Sequence, residues 1–252
     1  MCSRAAFGGE SERAVLASVL DAHLPKGHLK WLEVGIGNGS NLTYLLRALG
    51  RERQFDVVAM DPQSFPAAGA FAEWPISFHR TKLEDLTLAG SYDCINLRQS
   101  CYYLDCPADS MVRLADALST GGILAVTLWA PDCALRALYR TIAGAAASVD
   151  CGLTADDLLG ALSGERFQVL SRRQISADLN VDLIQRDARV AAALVALAAR
   201  KLDIAGMSED DRADLCHSFL AGRTRLSRIN EILLVGRRPQ PIHFDTRSMI
   251  SA

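Results

Sequence analysis

The stretch Trp31 to Leu42, WLEVGIGNGSNL, most constrains what this chain can become. An apolar strand over Trp31, Leu32 and Val34 runs into three glycines at alternate positions, Gly35, Gly37 and Gly39. A helix follows, with Leu42, Tyr44, Leu45, Leu46 and Leu49 as its buried face. Asn38, Ser40 and Asn41 are residue types that satisfy the free N–H groups of a helix start. Strand, glycine turn and helix together make a mononucleotide-binding half-unit, in which missing side chains let a ligand approach the backbone. The next apolar run, Phe55 to Met60, ends in Asp61-Pro62. A carboxylate at that strand tip accepts two hydrogen bonds at once and is placed to meet ribose hydroxyls, although Asp-Pro also reads as a plain turn.

The rest of the chain alternates in the same style. Glu10 to His23 reads as an amphipathic helix with Ser11 as its cap, stopped by Leu24-Pro25-Lys26-Gly27. Ser64 to Glu73 is expected to be a short helix and Pro75 to His79 a third strand, with Thr81 in a polar cluster beyond it. Tyr92 to Leu97 is strand four, followed by the run RQSCYYL from Arg98 to Leu104. Pro107 to Leu118 reads as a helix ended by Gly121-Gly122, and Ile123 to Trp129 as strand five. Pro131 opens an alanine-rich helix reaching about Ser148. Thr154 to Asp157 is a capped helix start, Phe167 to Ile175 strand six, and Asn230 to Arg237 the final strand. The expected fold is α/β: a Rossmann-like, seven-stranded, mostly parallel sheet with a helical insertion, 177–226, before the last strand. About fifty residues between two strands is too much for a hairpin, and the insertion is expected to cover the site. Its alanine-rich helix, apolar on most sides, is expected to be buried there or in a subunit interface. The whole of 1–252 reads as one domain, with an N-terminal helix in 1–27 and a loosely ordered tail over 238–252.

Composition narrows the partners. The formal net charge is −2 and half the residues are apolar. No basic excess points to nucleic acid, and no apolar stretch is long enough to span a bilayer. The N-terminus lacks a secretory h-region, so a cytoplasmic protein is expected. The seven cysteines form no C-x-x-C pair, which reads as free thiols and no metal site. Cys101 and Cys106 fall near the expected site, either as a reactive thiol or as small apolar filler.

Read from Glu33 as E-x-G-x-G-x-G, the glycine stretch resembles the first motif of the class I S-adenosylmethionine-dependent methyltransferases. A dinucleotide fingerprint would need Gly or Ala where the chain has Ser40. Glu12 before Leu24-Pro25, the glycine motif, Asp61-Pro62, Gln99-x-x-Tyr102-Tyr103, the segment Leu153 to Leu158 and Asn230 follow one another as in the histamine N-methyltransferase-like family, which the chain resembles over most of its length. The resemblance implies S-adenosylmethionine held by Glu33, Gly35, Gly37, Gly39, Asp61, Pro62, Thr81 and Arg98. It also implies a small-molecule substrate bracketed by Glu12, Gln99, Tyr102, Tyr103 and Asn230, with transfer to nitrogen of an amine, amino acid or imidazole-like compound.

The residues taken singly keep other readings open. Glu12 fits the dipole of its helix, Tyr102 and Tyr103 an aromatic pair, Gln99 a surface loop and Asn230 a turn before its strand. The departures from the family are Arg98, a positive charge beside Gln99, and an insertion richer in alanine. Transfer to oxygen is the nearest alternative function. A non-catalytic scaffold and an NAD-dependent oxidoreductase are more distant ones.

Overall fold

The computed structural model describes residues 12–63, 71, 73–88, 90–144, 154–162, 164–199 and 202–239. In chain order these form α1 (Glu12–His23), β1 (Gly27–Val34), α2 (Ser40–Leu49), β2 (Arg53–Met60), β3 (Ile76–His79), β4 (Tyr92–Arg98), α3 (Pro107–Asp116), β5 (Leu118–Trp129) and α4 (Ala134–Ala143). Then come α5 (Ala155–Ala161), β6 (Phe167–Asp178), α6 (Val181–Arg186), α7 (Ala188–Ala199), α8 (Glu209–Leu220) and β7 (Ser227–Arg237). The strands make a single sheet in the order β3-β2-β1-β4-β5-β7-β6. β1 to β5 pair in parallel, and β7 lies antiparallel between β5 and β6. This is the mostly parallel, Rossmann-like sheet expected from the sequence, with three helices inserted before the last strand. Strand order reverses between β1 and β4, and the crevice at their carboxyl ends is where such sheets take ligands.

Alternation along the strands sends neighbouring side chains to opposite faces. Trp31, Cys94, Ile123 and Ile232 join a core under α1 and α2, whereas Leu32, Ile95, Leu124 and Leu233 join one under α3 to α8. Each fully buried leucine contributes roughly 1.5–3 kcal/mol. Both faces are covered, which is why the central strands read as nearly continuous apolar runs. The alanine-rich α7 is buried by α4 and α8 of the same chain, through Ala191, Leu194, Val195 and Ala198. Small side chains let these helices approach closely.

Several boundaries differ from expectation for local reasons. Gly121-Gly122 does not end a helix: α3 stops at Asp116, and the glycines lie inside β5. There residues 119–122 bulge out between the pairs Tyr92–Leu118 and Cys94–Ile123. Pro131 lies in a turn closed by the Cys133 N–H to the Ala130 carbonyl at 3.0 Å, and α4 starts only at Ala134. Thr154 and Asp157 form a reciprocal capping box that fixes the start of α5. Of the expected helix over Ser64–Glu73 only 71 and 73 are described, both in turns, and the expected continuation to Ser148 stops at Ala143, where Gly144 leaves the helix at φ 59°. Residues 64–70 and 72, the Ser11 cap, 145–148, Cys2, Cys151 and the end of the tail lie outside the described residues.

Arg53 ties α1 and α2 to the sheet. Its side chain is 4% exposed. It donates to the carbonyls of Pro25 at 2.9 Å, Leu24 at 2.9 Å and Asp21 at 3.1 Å, and to the Asp21 carboxylate at 2.6 Å. It also reaches the Leu49 carbonyl, so one guanidinium serves the carboxyl ends of both helices, where a positive charge meets the helix dipole favourably. Arg53→Met leaves these carbonyls without a donor. The variant is expected to lose about 3 kcal/mol of stability, a fall in Tm of roughly 6–12 °C measured by thermal denaturation; an unchanged Tm contradicts this role.

Candidate active site

At the carboxyl ends of β1, β2 and β4 lies a cavity of about 560 Å³. Its floor is the glycine turn. The N–H groups of Gly35 and Ile36 donate to the Met60 carbonyl at 2.9 and 3.1 Å. Gly37 N–H donates to Asp61 Oδ2 at 2.9 Å, and Gln63 N–H to Asp61 Oδ1 at 2.9 Å. Asp61 therefore closes its own turn and also pins the glycine turn to β2. A carboxylate offers about four acceptor sites, so these bonds are compatible with a ligand's hydroxyls. Asp61, Pro62, Gly35 and Gly37 all line the cavity.

The glycines meet different demands. Gly35 has φ 79°, and a Cβ there would stand 2.5 Å from the Cβ of Ser100. Gly37 has φ 56°, and a Cβ there meets no atom of the described residues within 4 Å apart from its chain neighbours, so this glycine serves the left-handed turn. Gly39 does not line the cavity; it packs against Phe71. Asn38 Oδ1 accepts from Ser40 N–H at 3.1 Å beside the start of α2.

The opposite wall comes from the polar cluster after β3 and from the end of the run after β4. Leu83 and Leu104 supply apolar surface. Arg113 of α3 donates to the carbonyls of Leu83, at 2.8 Å, and Leu86, holding their turn in place. At the rim Lys82 pairs with Asp105 at 3.2 Å, and Asp105 N–H donates to Glu84 Oε1 at 2.9 Å. Thr81, expected at the cofactor, is not a lining residue; the chain turns so that Lys82 is. Neither Cys101, fully buried, nor the exposed Cys106 lines the cavity.

Beyond β4, Arg98, Gln99 and Ser100 form the third wall. Gln99 has φ 58°, uncommon for a residue with a side chain, and its N–H donates to the Thr127 carbonyl at 2.8 Å. Tyr103 lines the mouth and is 51% exposed. Tyr102 is not with it. Its ring packs on Trp129, centroids 5.2 Å apart, and its hydroxyl accepts from the Trp129 N–H, so it buttresses β5 from outside the cavity.

Glu12 and Asn230 come from opposite ends of the chain and meet, Asn230 Nδ2 donating to Glu12 Oε2. The same carboxylate pairs with Arg98 at 2.6 Å and Arg228 at 3.3 Å. Arg98 is the link between this cluster and the cavity; Glu12 and Asn230 lie behind it rather than on the lining. No described residue of 177–226 lines the cavity, because the inserted helices pack on the α3–α5 face.

Glu33, expected at the cofactor, is 2% exposed and turned into the sheet. Trp31 Nε1 donates to it at 2.9 Å, and Asn96 Nδ2 to both its oxygens at 3.0 and 2.9 Å. Burial pushes its carboxyl up from the ordinary 4.5 to about 7, against the pull of Asn96, Trp31 and Arg98. Asn96 Oδ1 has no hydrogen-bond partner among the described residues. A flip of that amide lets a protonated Glu33 donate to it.

A family model for the methyltransferase domain matches residues 9–179. The chain belongs to this methyltransferase family. Its strand order is that of the class I, S-adenosylmethionine-dependent branch. A comparison with curated proteins finds no match. Among solved structures the methyltransferase is similar to a putative methyltransferase from Bacillus halodurans, with TM-score 0.62 and 14% identity over 90% of this chain and 100% of the other. A loganic acid methyltransferase with SAH gives 0.60 and 10% over 92% and 93%. The N-methyltransferase NodS from Bradyrhizobium japonicum gives 0.52 and 15% over 90% and 94%. These likenesses are of fold.

The methyltransferase uses S-adenosylmethionine, and the site fits it. The cavity has the volume of a cofactor pocket, apolar surface at Leu83 and Leu104 for a flat ring, a carboxylate at Asp61 for hydroxyls, and bare backbone at Gly37. Among the described residues, no three His, Cys, Asp or Glu side chains are grouped to hold a metal ion, and no helix is long and apolar enough to cross a membrane.

The buried Glu33 makes stability depend on pH in a definite direction. Its folded pKa lies above its unfolded one, so its contribution is complete below about pH 4.5 and is lost as pH rises through 7. Glu33→Gln keeps an acceptor for Trp31 and can place its amide against Asn96 Oδ1. Between pH 4.5 and 8 the stability difference should move toward the variant by about 3 kcal/mol, read as urea midpoints of both proteins; a difference that does not vary with pH would show that Glu33 ionises normally.

Proposed function

We propose that this methyltransferase moves a methyl group to nitrogen of a small amine, amino acid or imidazole-like compound. The observation that carries the reading is the meeting of Glu12, Arg98, Arg228 and Asn230 at the ends of β4 and β7, beside the cavity wall formed by Gln99. Such a set of one carboxylate and two amide-bearing side chains can accept from and donate to an N–H compound while excluding water. In this reading Asp61 accepts from the ribose, Gly35, Gly37 and Pro62 border the cofactor, and Leu83 and Leu104 flank its ring. Tyr103 gives an aromatic face at the mouth, worth about 0.5–2 kcal/mol to a cationic group. Tyr102 acts through Trp129.

When bound, S-adenosylmethionine supplies a methyl carbon activated by positive sulfur. The chain's own task is to bind the acceptor, hold its lone pair in line and keep the cavity dry. The left-handed Gln99 aims the chain after β4 along the cavity wall, which is where backbone strain is tolerated for a function. The nitrogen's surplus proton leaves to solvent at the mouth of the cavity. A second reading, transfer to oxygen of an acid, is favoured by Arg98 on the cavity wall and by the similarity to the loganic acid methyltransferase. A carboxylate clamped by guanidinium is a poorer nucleophile, which places it second.

The test uses labelled S-adenosylmethionine with a panel of amines, amino acids, imidazoles, phenols and acids. Base-stable label on nitrogen is expected. Glu12→Ala, Gln99→Ala and Asn230→Ala should each lower kcat/KM by about 10- to 100-fold while the cofactor Kd stays within about threefold. A methyl ether or ester as product selects the second reading. Full turnover in all three variants removes these residues from the site.

A further inference from the structure

Glu33 lies directly under the cavity floor. It precedes Val34 and Gly35, both lining residues, and its hydrogen-bond donors, Trp31 Nε1 and Asn96 Nδ2, are neutral. The charged group that acts on it is Arg98 of β4, which also lines the cavity, but that guanidinium is already held by Glu12 of α1 at 2.6 Å. Arg228 of β7 stands further out, on the same Glu12. Asp61, at the tip of β2, is turned to the glycine turn instead. Cys94, the other ionisable side chain on this face of β4, is kept neutral because burial holds its thiol well above the usual range. β2, β5 and α2 face the same core with Ala59, Ala125 and Leu46, and α1 with Leu16 and Leu20, none of them charged. Glu33 is thus a buried carboxyl beside a ligand cavity, and the one guanidinium acting on it is paired elsewhere.

We infer that Glu33 is a proton-exchanging counter-charge to the contents of the cavity: it gives up its proton when the cationic cofactor binds, regains one when the uncharged-sulfur product remains, and so makes the protein favour S-adenosylmethionine over S-adenosylhomocysteine increasingly as pH rises. The inference needs only the cofactor class and is independent of the acceptor. Glu33 touches neither ligand and acts through charge. A ligand resting on Val34 and Gly35 lies within about 10 Å of the residue before them. At that distance, with an effective dielectric constant of about 20, a unit positive charge lowers a carboxyl's proton affinity about tenfold. Burial has raised the Glu33 carboxyl to about 7, so it is half protonated at neutral pH and responds there. Asn96 suits both states. Its Nδ2 donates to both oxygens of the ionised carboxylate, and its Oδ1, without a hydrogen-bond partner among the described residues, accepts from the protonated one once the amide turns. The released proton passes to the buffer. With the cation bound the carboxyl titrates lower than without it, so the gain in cation affinity is complete above about pH 7 and lost below about pH 6.

The experiment titrates the full chain, wild type and Glu33→Gln, with S-adenosylmethionine and S-adenosylhomocysteine by calorimetry from about pH 5.5 to 8, each in two buffers of different ionisation enthalpy. In wild type the ratio of the two Kd values, product over cofactor, is expected to rise about five- to tenfold more across that range than in Glu33→Gln. At pH 7 wild type should release about 0.4 proton more per S-adenosylmethionine than the variant does, and no more than the variant with S-adenosylhomocysteine. Titration of the ligands' own amino groups is the same in both proteins and cancels in these differences. Infrared difference spectra of wild type, which need no variant, should show the C=O stretch of a protonated buried carboxyl disappearing with S-adenosylmethionine and persisting with S-adenosylhomocysteine.

A Kd ratio with the same pH dependence in wild type and Glu33→Gln overturns the inference and makes Glu33 a purely structural carboxyl. So does an infrared carboxyl band that neither ligand changes, or that both ligands change alike, since the latter follows from occupancy of the cavity and not from its charge. If Glu33→Gln does not fold, the wild-type infrared spectra decide the question by themselves. None of these outcomes bears on which atom accepts the methyl group.

Discussion

The site depends on one close approach. Ser100 Oγ donates to the Val34 carbonyl at 2.6 Å, across the gap where β1 and β4 end and the chains diverge to opposite sides of the sheet. That bond brings Ser100 onto Gly35, where no side chain fits. With the two turns joined, Gly37 can reach Asp61, Gln99 takes up its left-handed conformation above Thr127, and the cavity opens between them. A looser junction would leave the same residues on the same strands without a common wall.

A second level of organisation is electrostatic. Arg53 anchors α1 and α2 by their carboxyl ends, and the amino end of α1 then delivers Glu12 to Arg98, Arg228 and Asn230. Two arginines around a single, largely buried carboxylate stabilise the fold only weakly, because desolvation offsets much of the attraction. Their value is to keep a polar cluster ordered at the end of a dry cavity. Glu33 obeys the same rule in the other direction: without a cation in direct contact, burial raises its pKa toward neutrality.

The sheet was legible because its strands are buried on both faces and its glycine turn has few other uses, and the reading reached the mostly parallel seven-stranded sheet and the cofactor class. Boundaries failed where one residue type serves two structures, as with Gly121-Gly122, which ends helices elsewhere but here forms a bulge in β5. The cavity wall was legible only in part. Leu83 and Leu104 are ordinary leucines in sequence, and only the turn held by Arg113 gives them a common surface. Glu33 was read as a cofactor residue from its place in the motif, whereas strand alternation puts it on the face of Trp31. Tyr102 and Tyr103, adjacent in sequence, were read as one feature; a single turn of 3-10 helix separates them into a buttress and a rim. The pairing of Glu12 with Arg228 spans nearly the whole chain, and no local pattern records it.

The central claim is that the cavity between the glycine turn and Leu104 holds S-adenosylmethionine. Calorimetric titration of the full chain with S-adenosylhomocysteine tests it most directly. One site with a Kd of roughly 1–100 µM, displaced competitively by S-adenosylmethionine, is the predicted result. No heat up to about 1 mM ligand, or tighter binding of a nicotinamide dinucleotide at the same site, would contradict the account.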